Sequence, residues 1–79
     1  MKVTRLKPGT RAPDDRDRIF VDRLSDGKVA WAGSISVGES AVFGTSRNDH
    51  ATVEAAEAEA VEWAASHGAI EIIIETDDA

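Results

Sequence analysis

The sequence predicts a small α+β domain in which one helix covers one face of a four-stranded sheet. Residues 19–45 alternate between apolar and small or polar side chains and are divided by two glycine-containing turns, as in an antiparallel meander. Residues 52–66 are rich in alanine and glutamate, which favour a helix. The isoleucine-rich residues 70–76 then indicate a last strand.

The first three predicted strands are residues 19–24, 29–37 and 41–45. Asp26-Gly27 lies between the first two, and this dipeptide favours a hairpin because a tight turn needs a positive φ. In the second strand, the large apolar residues occupy one face and only alanine and serine occupy the other. The turn at residues 38–40 leads into the third, shorter strand. These segments are therefore expected to pair in sequence order.

The helix is expected from about residue 52 to residue 66, with Asp49 or Thr52 as its N-cap and Gly68 just after its end. Helical periodicity directs one stripe of small and aromatic residues toward the sheet. This stripe comprises Val53, Ala56, Ala60, Trp63, Ala64 and His67. Glu59 and Glu62 are expected to point away from the sheet, because they lie on the opposite side of the helix.

The predicted element order is β-β-β-α-β. A right-handed crossover places the last strand parallel to the first, in the sheet order 3-2-1-4. The helix then covers one face of the sheet and leaves the other face open. Residues 1–17 are expected to form a charged N-terminal arm, of which residues 2–6 are compatible with a short edge strand. Residues 18–79 are expected to form the single α+β domain.

The charge of the chain is unevenly distributed. The net charge is −6, but residues 1–28 hold eight basic and five acidic residues, whereas residues 29–79 hold one basic and ten acidic ones. An acidic surface repels nucleic acid and attracts basic surfaces. The chain has no cysteine, which excludes disulfides and cysteine-ligated zinc. Without a recognisable leader or a long apolar run, a cytoplasmic protein that does not enter membranes is expected.

A local resemblance concerns the helix and the last strand. Residues 56–61 (AEAEAV) and 68–77 (GAIEIIIETD) resemble part of a ribonuclease-H-like domain. The resemblance implies that Glu57 and Asp77, with Asp22 or Asp26, hold two divalent metal ions for phosphodiester cleavage. No residue of the sequence corresponds to the later acidic residue of that pattern. A truncated metal-dependent nuclease is therefore the alternative function, and the favoured expectation is no catalytic site, metal or cofactor.

Two surfaces are expected to bind a partner. The first is the open sheet face, formed by Ala30, Ala32, Ser34 and Ser36 beside Glu71, Ile73 and Glu75. On this face, Ile73 is expected to be an exposed apolar anchor for a partner or for a second copy of the chain. The second surface, called the acidic set below, comprises Glu54, Glu59, Glu62, Glu71, Glu75, Asp77 and Asp78. Such carboxylates can occupy a basic groove that otherwise holds nucleic acid.

The whole chain is similar in architecture to small type I anti-CRISPR proteins of phages and mobile elements. The resemblance lies in the short acidic chain, the charged arm, the Asp26-Gly27-Lys28 hairpin and an alanine-rich helix that ends with Glu62-Trp63 and Gly68. It implies a non-enzymatic inhibitor, acting as a nucleic-acid mimic in the bacterial host cytoplasm. Its expected partner is a basic surface on a CRISPR effector complex, with no direct nucleic-acid binding, and the chain is expected to be a monomer or a weak homodimer. A HicB-like antitoxin module, which also has a small sheet with one helix, is the other alternative.

Overall fold

A computed structural model describes residues 1–13 and 15–76, which form one five-stranded sheet and one α-helix. The strands are β1 (Lys2–Arg5), β2 (Arg18–Arg23), β3 (Val29–Val37), β4 (Ser40–Thr45) and β5 (Glu71–Thr76). The helix, α1, spans Val53–Ser66. The predicted α+β class with a single helix is confirmed for the described part of the chain.

Strands β2, β3 and β4 form the predicted antiparallel meander. In the connection between β2 and β3, the Leu24 amide donates to the Lys28 carbonyl at 2.7 Å, and Gly27 has a φ of +85°. The connection between β3 and β4 is the two-residue turn at Gly38, which has a φ of +63°. Both turns therefore use glycine where an L side chain would be strained.

The order of the sheet is β1-β5-β2-β3-β4, and β5 runs parallel to both of its neighbours. The predicted four-stranded sheet gains a fifth strand, β1, beside β5, at the residues that the sequence marked as compatible with a short edge strand. The Lys2 amide donates to the Ile70 carbonyl at 2.9 Å, and the Leu6 amide donates to the Ile74 carbonyl at 3.0 Å. These bonds satisfy backbone groups of β5 that a four-stranded sheet would leave unpaired.

Helix α1 begins at the N-cap Thr52, whose hydroxyl accepts a hydrogen bond from the Ala55 amide at 3.1 Å. Gly68 follows the helix with a φ of +90°, as the sequence predicts. His67 caps the C-terminus and is exposed, so its predicted place in the buried stripe is wrong. At 14 residues, α1 is too short and too polar to cross a membrane, and the described residues contain no other helix.

The hydrophobic core lies between α1 and the sheet. Three fully buried alanines, Ala56, Ala60 and Ala64, bring the helix backbone close to the strands. The larger core residues come from the facing sides of β2, β3 and β5; they are Ile19, Val21, Val29, Trp31, Ile35, Ile72 and Ile74. The helix contacts mainly β3, so the helical alanines and the centre of the sheet position the site described below.

The connection between β1 and β2 covers the other face of β5. Because β1 and β2 flank β5 and run parallel to it, their connection must cross one face of that strand. Since α1 packs on one face of the sheet, the connection between β1 and β2 crosses the opposite face. Ala12 is buried there, and its amide donates to Glu75 Oε1 at 2.7 Å. Ile73 is only 8% exposed, so the prediction of an exposed apolar anchor at this position is wrong.

Candidate functional site

The acidic set is divided among different environments and does not form one continuous surface. Glu54 and Glu62 are exposed on α1, whereas Glu59 is partly buried. Glu71 is partly buried on β5, and Glu75 is only 6% exposed. The remaining two members, Asp77 and Asp78, lie outside the described residues. Of the described members of the set, only Glu59 and Glu62 line the same cleft, which is described below.

The carboxylates on β5 already have partners within the chain. Glu71 forms an ion pair with Arg16, and Lys2 Nζ lies 4.0 Å from its other carboxylate oxygen. Glu75 accepts the hydrogen bond from Ala12 described above. The basic arm thus neutralises part of the acidity of β5, and the predicted open face is covered at Ile73 and Glu75 and only partly at Glu71.

Glu57 is also paired. Its Oε1 atom lies 2.8 Å from Arg5 Nε, and its side chain is 13% exposed. The predicted metal site needs Glu57 together with Asp77, which is outside the described residues. Among residues 1–13 and 15–76, no group of three acidic or histidine side chains is arranged to hold a metal ion. The nuclease alternative stays a prediction, because one of its essential residues is not described.

Glu59 is the centre of a hydrogen-bond network between α1 and the sheet. Its Oε1 atom accepts from Trp31 Nε1 at 2.7 Å and from the Arg47 amide at 3.3 Å, and it lies 3.0 Å from His50 Nε2. The hydrogen bond with His50, followed by that from Trp31, lowers the pKa of Glu59 below its ordinary value. Glu59 therefore remains ionised at neutral pH. The prediction that its side chain points away from the sheet is wrong, because the carboxylate reaches back to Trp31 on β3.

A cleft lies beside this network, between the last turns of α1 and the ends of β3 and β4. The indole rings of Trp31 and Trp63 are 5.2 Å apart at an angle of 44°, and the His67 ring lies 5.4 Å from Trp63. The cleft has a volume of about 240 Å³. Its lining residues are Trp31, Thr45, Arg47, Glu59, Glu62, Trp63, Ser66 and His67. We call it the tryptophan cleft.

Two glycines place Trp63 against the sheet. Gly33 on β3 and Gly44 on β4 are directly opposite each other. A Cβ atom at Gly44 would lie 2.4 Å from Trp63, and one at Gly33 would lie 2.6 Å from it. Only a residue without a side chain leaves room for the indole ring at these positions. A pair of interior strand glycines together with a helical tryptophan was the sequence signal for the cleft, but only the register of β3 and β4 brings them together.

The tryptophan cleft has the chemistry of a site for a cationic side chain. Aromatic faces attract arginine and lysine, and an ionised carboxylate strengthens that attraction. Glu59 provides such a carboxylate, while the exposed Glu62 forms no ion pair with any described residue. Arg47 also lines the cleft, so it shares the cleft with any incoming cation. No protein-family model, curated protein or solved structure matches this chain.

Proposed function

We propose that this protein is a non-enzymatic binding protein that uses α1 and the tryptophan cleft to hold a basic surface of another protein. The observation that carries the proposal is that Trp63 and two carboxylates, Glu59 and Glu62, line one cleft. A guanidinium group can stack on the indole and donate hydrogen bonds to a carboxylate at the same time. The cleft is too small for most drug-sized ligands but large enough for the end of an arginine side chain.

The electrostatics of the helix support this choice of surface. The chain has no lysine or arginine between Asn48 and Ala79, so α1 carries four glutamates and no basic residue. Two of them, Glu54 and Glu62, are exposed and form no ion pair with a described residue. An acidic helix of this kind attracts a basic partner over a distance of about 8 Å at physiological salt.

The binding surface of this proposal differs from the one expected from the sequence. Glu71 and Glu75 are engaged by the N-terminal segment, and Ile73 is buried beneath it. Because these side chains have partners within the chain, the proposal depends on Glu54, Glu62 and the tryptophan cleft. The side chain of Glu59 is already hydrogen-bonded within the chain, so Glu59 contributes to binding by its negative charge at the cleft.

The partner class comes from the resemblance to type I anti-CRISPR proteins. Basic grooves that hold nucleic acid are rich in arginine, which is the side chain that the tryptophan cleft fits. We propose that the partner is an arginine-rich, nucleic-acid-binding surface of a CRISPR effector complex and that binding blocks access of nucleic acid. In this proposal the inhibition is stoichiometric and involves no chemical step.

The first experiment tests the cleft itself. Trp31 and Trp63 are the only tryptophans, so intrinsic fluorescence reports directly on this site. Titration with an arginine-rich peptide should change the fluorescence at low salt, and the effect should weaken as salt rises. Glu62→Gln should reduce the affinity, whereas Asp26→Asn is the matched control because it removes one charge from an exposed turn outside the cleft. Equal effects of the two variants would show that only net charge matters and would refute a specific site.

The second experiment tests the partner. Purified type I CRISPR effector complex is immobilised, and binding of the full chain is measured with and without bound target DNA. The proposal expects binding that DNA reduces and that Trp63→Leu weakens. Absence of binding to effector complexes would refute the proposal that a CRISPR effector complex is the partner. Cleavage of an RNA–DNA hybrid that depends on Mg²⁺ or Mn²⁺ would overturn the non-enzymatic proposal and favour the nuclease alternative.

A further inference from the structure

Strand β4 is an edge strand without the usual protection against pairing. Its sequence, SAVFGT, contains no charged residue and no proline, and Phe43 is 77% exposed. The opposite edge strand, β1, has Lys2 and Arg5 at its two ends. Charges on an edge strand discourage pairing with another chain, whereas an uncharged edge with an exposed aromatic residue favours it. The two edges of the sheet therefore differ in their capacity to bind a further strand.

The hydrogen-bond pattern shows which residues of β4 are available. The Ser46 amide donates to the Trp31 carbonyl at 3.0 Å, in continuation of the β3–β4 register. Hydrogen-bonded pairs alternate along an antiparallel ladder, so the backbone groups of Ser40, Val42 and Gly44 face β3. The amides and carbonyls of Ala41, Phe43 and Thr45 then point away from the sheet. These three residues form the free edge.

We propose that β4 pairs antiparallel with β4 of a second copy of this chain, about a two-fold axis at Phe43. In this register Phe43 faces Phe43 of the second copy, and Ala41 faces Thr45. All three free residues then form hydrogen-bonded pairs, which gives six backbone hydrogen bonds. Because residues opposite each other in antiparallel strands point to the same face, the two exposed phenylalanine rings meet on the face without helices.

Charge complementarity selects the second copy and this register. Glu39 precedes β4 and Arg47 follows it, each four residues from Phe43. The two-fold axis at Phe43 therefore places Glu39 of each copy opposite Arg47 of the other copy. Both side chains are exposed, and neither forms an ion pair with a described residue. If the axis moves by two residues, to Ala41 or Thr45, the outward-pointing backbone groups still face each other. However, one residue of the free edge is then left unpaired, and Glu39 no longer lies opposite Arg47. The edge is thus complementary to itself in one register.

The helices leave room for this arrangement. Helix α1 contacts mainly β3, and β3 of one copy is separated from β3 of the other by three strand spacings, about 14 Å. Packed helices need only about 8–10 Å between their axes. The two α1 helices therefore lie on the same face of a continuous ten-stranded sheet without overlapping.

Cross-linking tests the register directly, because the chain has no cysteine. Opposite residues of a hydrogen-bonded pair have Cα atoms about 5.5 Å apart, which permits a disulfide. Phe43→Cys should therefore give a cross-linked dimer when two thiols are oxidised by copper–phenanthroline. Ala41→Cys is the matched control on the same strand and face, since residue 41 lies about 14 Å from its own copy in this register. Equal cross-linking of the two variants, or none by Phe43→Cys, would overturn the proposal.

A concentration series of the unmodified chain in sedimentation velocity gives the second measurement. The proposal expects a monomer–dimer equilibrium, because a single strand pair is a small interface. Glu39→Arg and Arg47→Glu should each weaken dimerisation about three- to tenfold, and the double variant should restore it. Circular dichroism checks that each variant is folded. A monomer at all concentrations, or a double variant weaker than either single variant, would refute the pairing.

Discussion

Gly44→Ala should destabilise the protein through Trp63. A Cβ atom at this position would lie 2.4 Å from Trp63 Cε2 and 2.6 Å from two further atoms of the indole, whereas ordinary contacts begin at 3.4 Å. The ring must therefore withdraw by about 1 Å, which disturbs its packing against Trp31. Overpacking of this kind costs about 2 kcal/mol. For a domain of this size, that corresponds to a loss of Tm on the order of 8–16 °C.

The assay is thermal unfolding followed by circular dichroism, with tryptophan fluorescence as a second probe. The control is Gly44→Ala in a Trp63→Leu background, where the smaller side chain leaves room for the added methyl group. If the clash with Trp63 is the cause, the second substitution should remove most of the cost of the first. An unchanged Tm for Gly44→Ala, or the same loss in both backgrounds, would refute the reasoning.

Three further predictions concern other parts of the fold. Glu75→Ala removes the acceptor for the Ala12 amide. Hydrogen exchange at Ala12 should therefore accelerate, and the free energy of unfolding should fall by about 1–3 kcal/mol. An unchanged exchange rate would contradict the contact. The pKa of Glu59 is lower in the folded protein than in the unfolded chain, where it is near 4.5. The ionised carboxylate therefore stabilises the fold above about pH 4.5, and this stabilisation is lost as the pH falls through the folded pKa. Denaturant unfolding should show this loss below about pH 4.5, and Glu59→Gln, which also weakens the contact with His50, should flatten it. Thr52→Ala should lower the free energy of unfolding by about 1 kcal/mol because it removes the N-cap hydroxyl, whereas Thr52→Ser should leave it nearly unchanged. Equal losses in the two variants would contradict the capping role.

Local patterns in the sequence predicted most of the elements. The alternation in residues 29–37 corresponds to β3, the alanine-rich segment to α1, and the Asp26-Gly27 dipeptide to the connection between β2 and β3. These features depend on interactions within a few residues, which a sequence pattern shows directly. The N-cap at Thr52 and the positive φ at Gly68 belong to the same kind of signal.

The candidate site needed information that no local pattern contains. Helical periodicity placed Glu59 on the outer side of α1, but the long glutamate side chain reaches Trp31, which is 28 residues earlier in the chain. Periodicity also placed Ile73 on an open face, because nothing in residues 70–76 shows that the N-terminal segment crosses that face. The assignment failed at both positions because the contacts join residues that are distant in sequence.

The sequence by itself determined the α+β class, the single helix, the turns and the uneven charge, since each follows from local propensity or from composition. Only the tertiary structure decided the surface of the molecule. It placed the edge strand β1 beside β5, covered Ile73 and Glu75 with the connection between β1 and β2, and placed Trp63 over Gly33 and Gly44. The physical reason is that a strand's free backbone groups and apolar side chains are satisfied by whichever segment the topology brings to them. The order of residues along the chain does not state which segment that is.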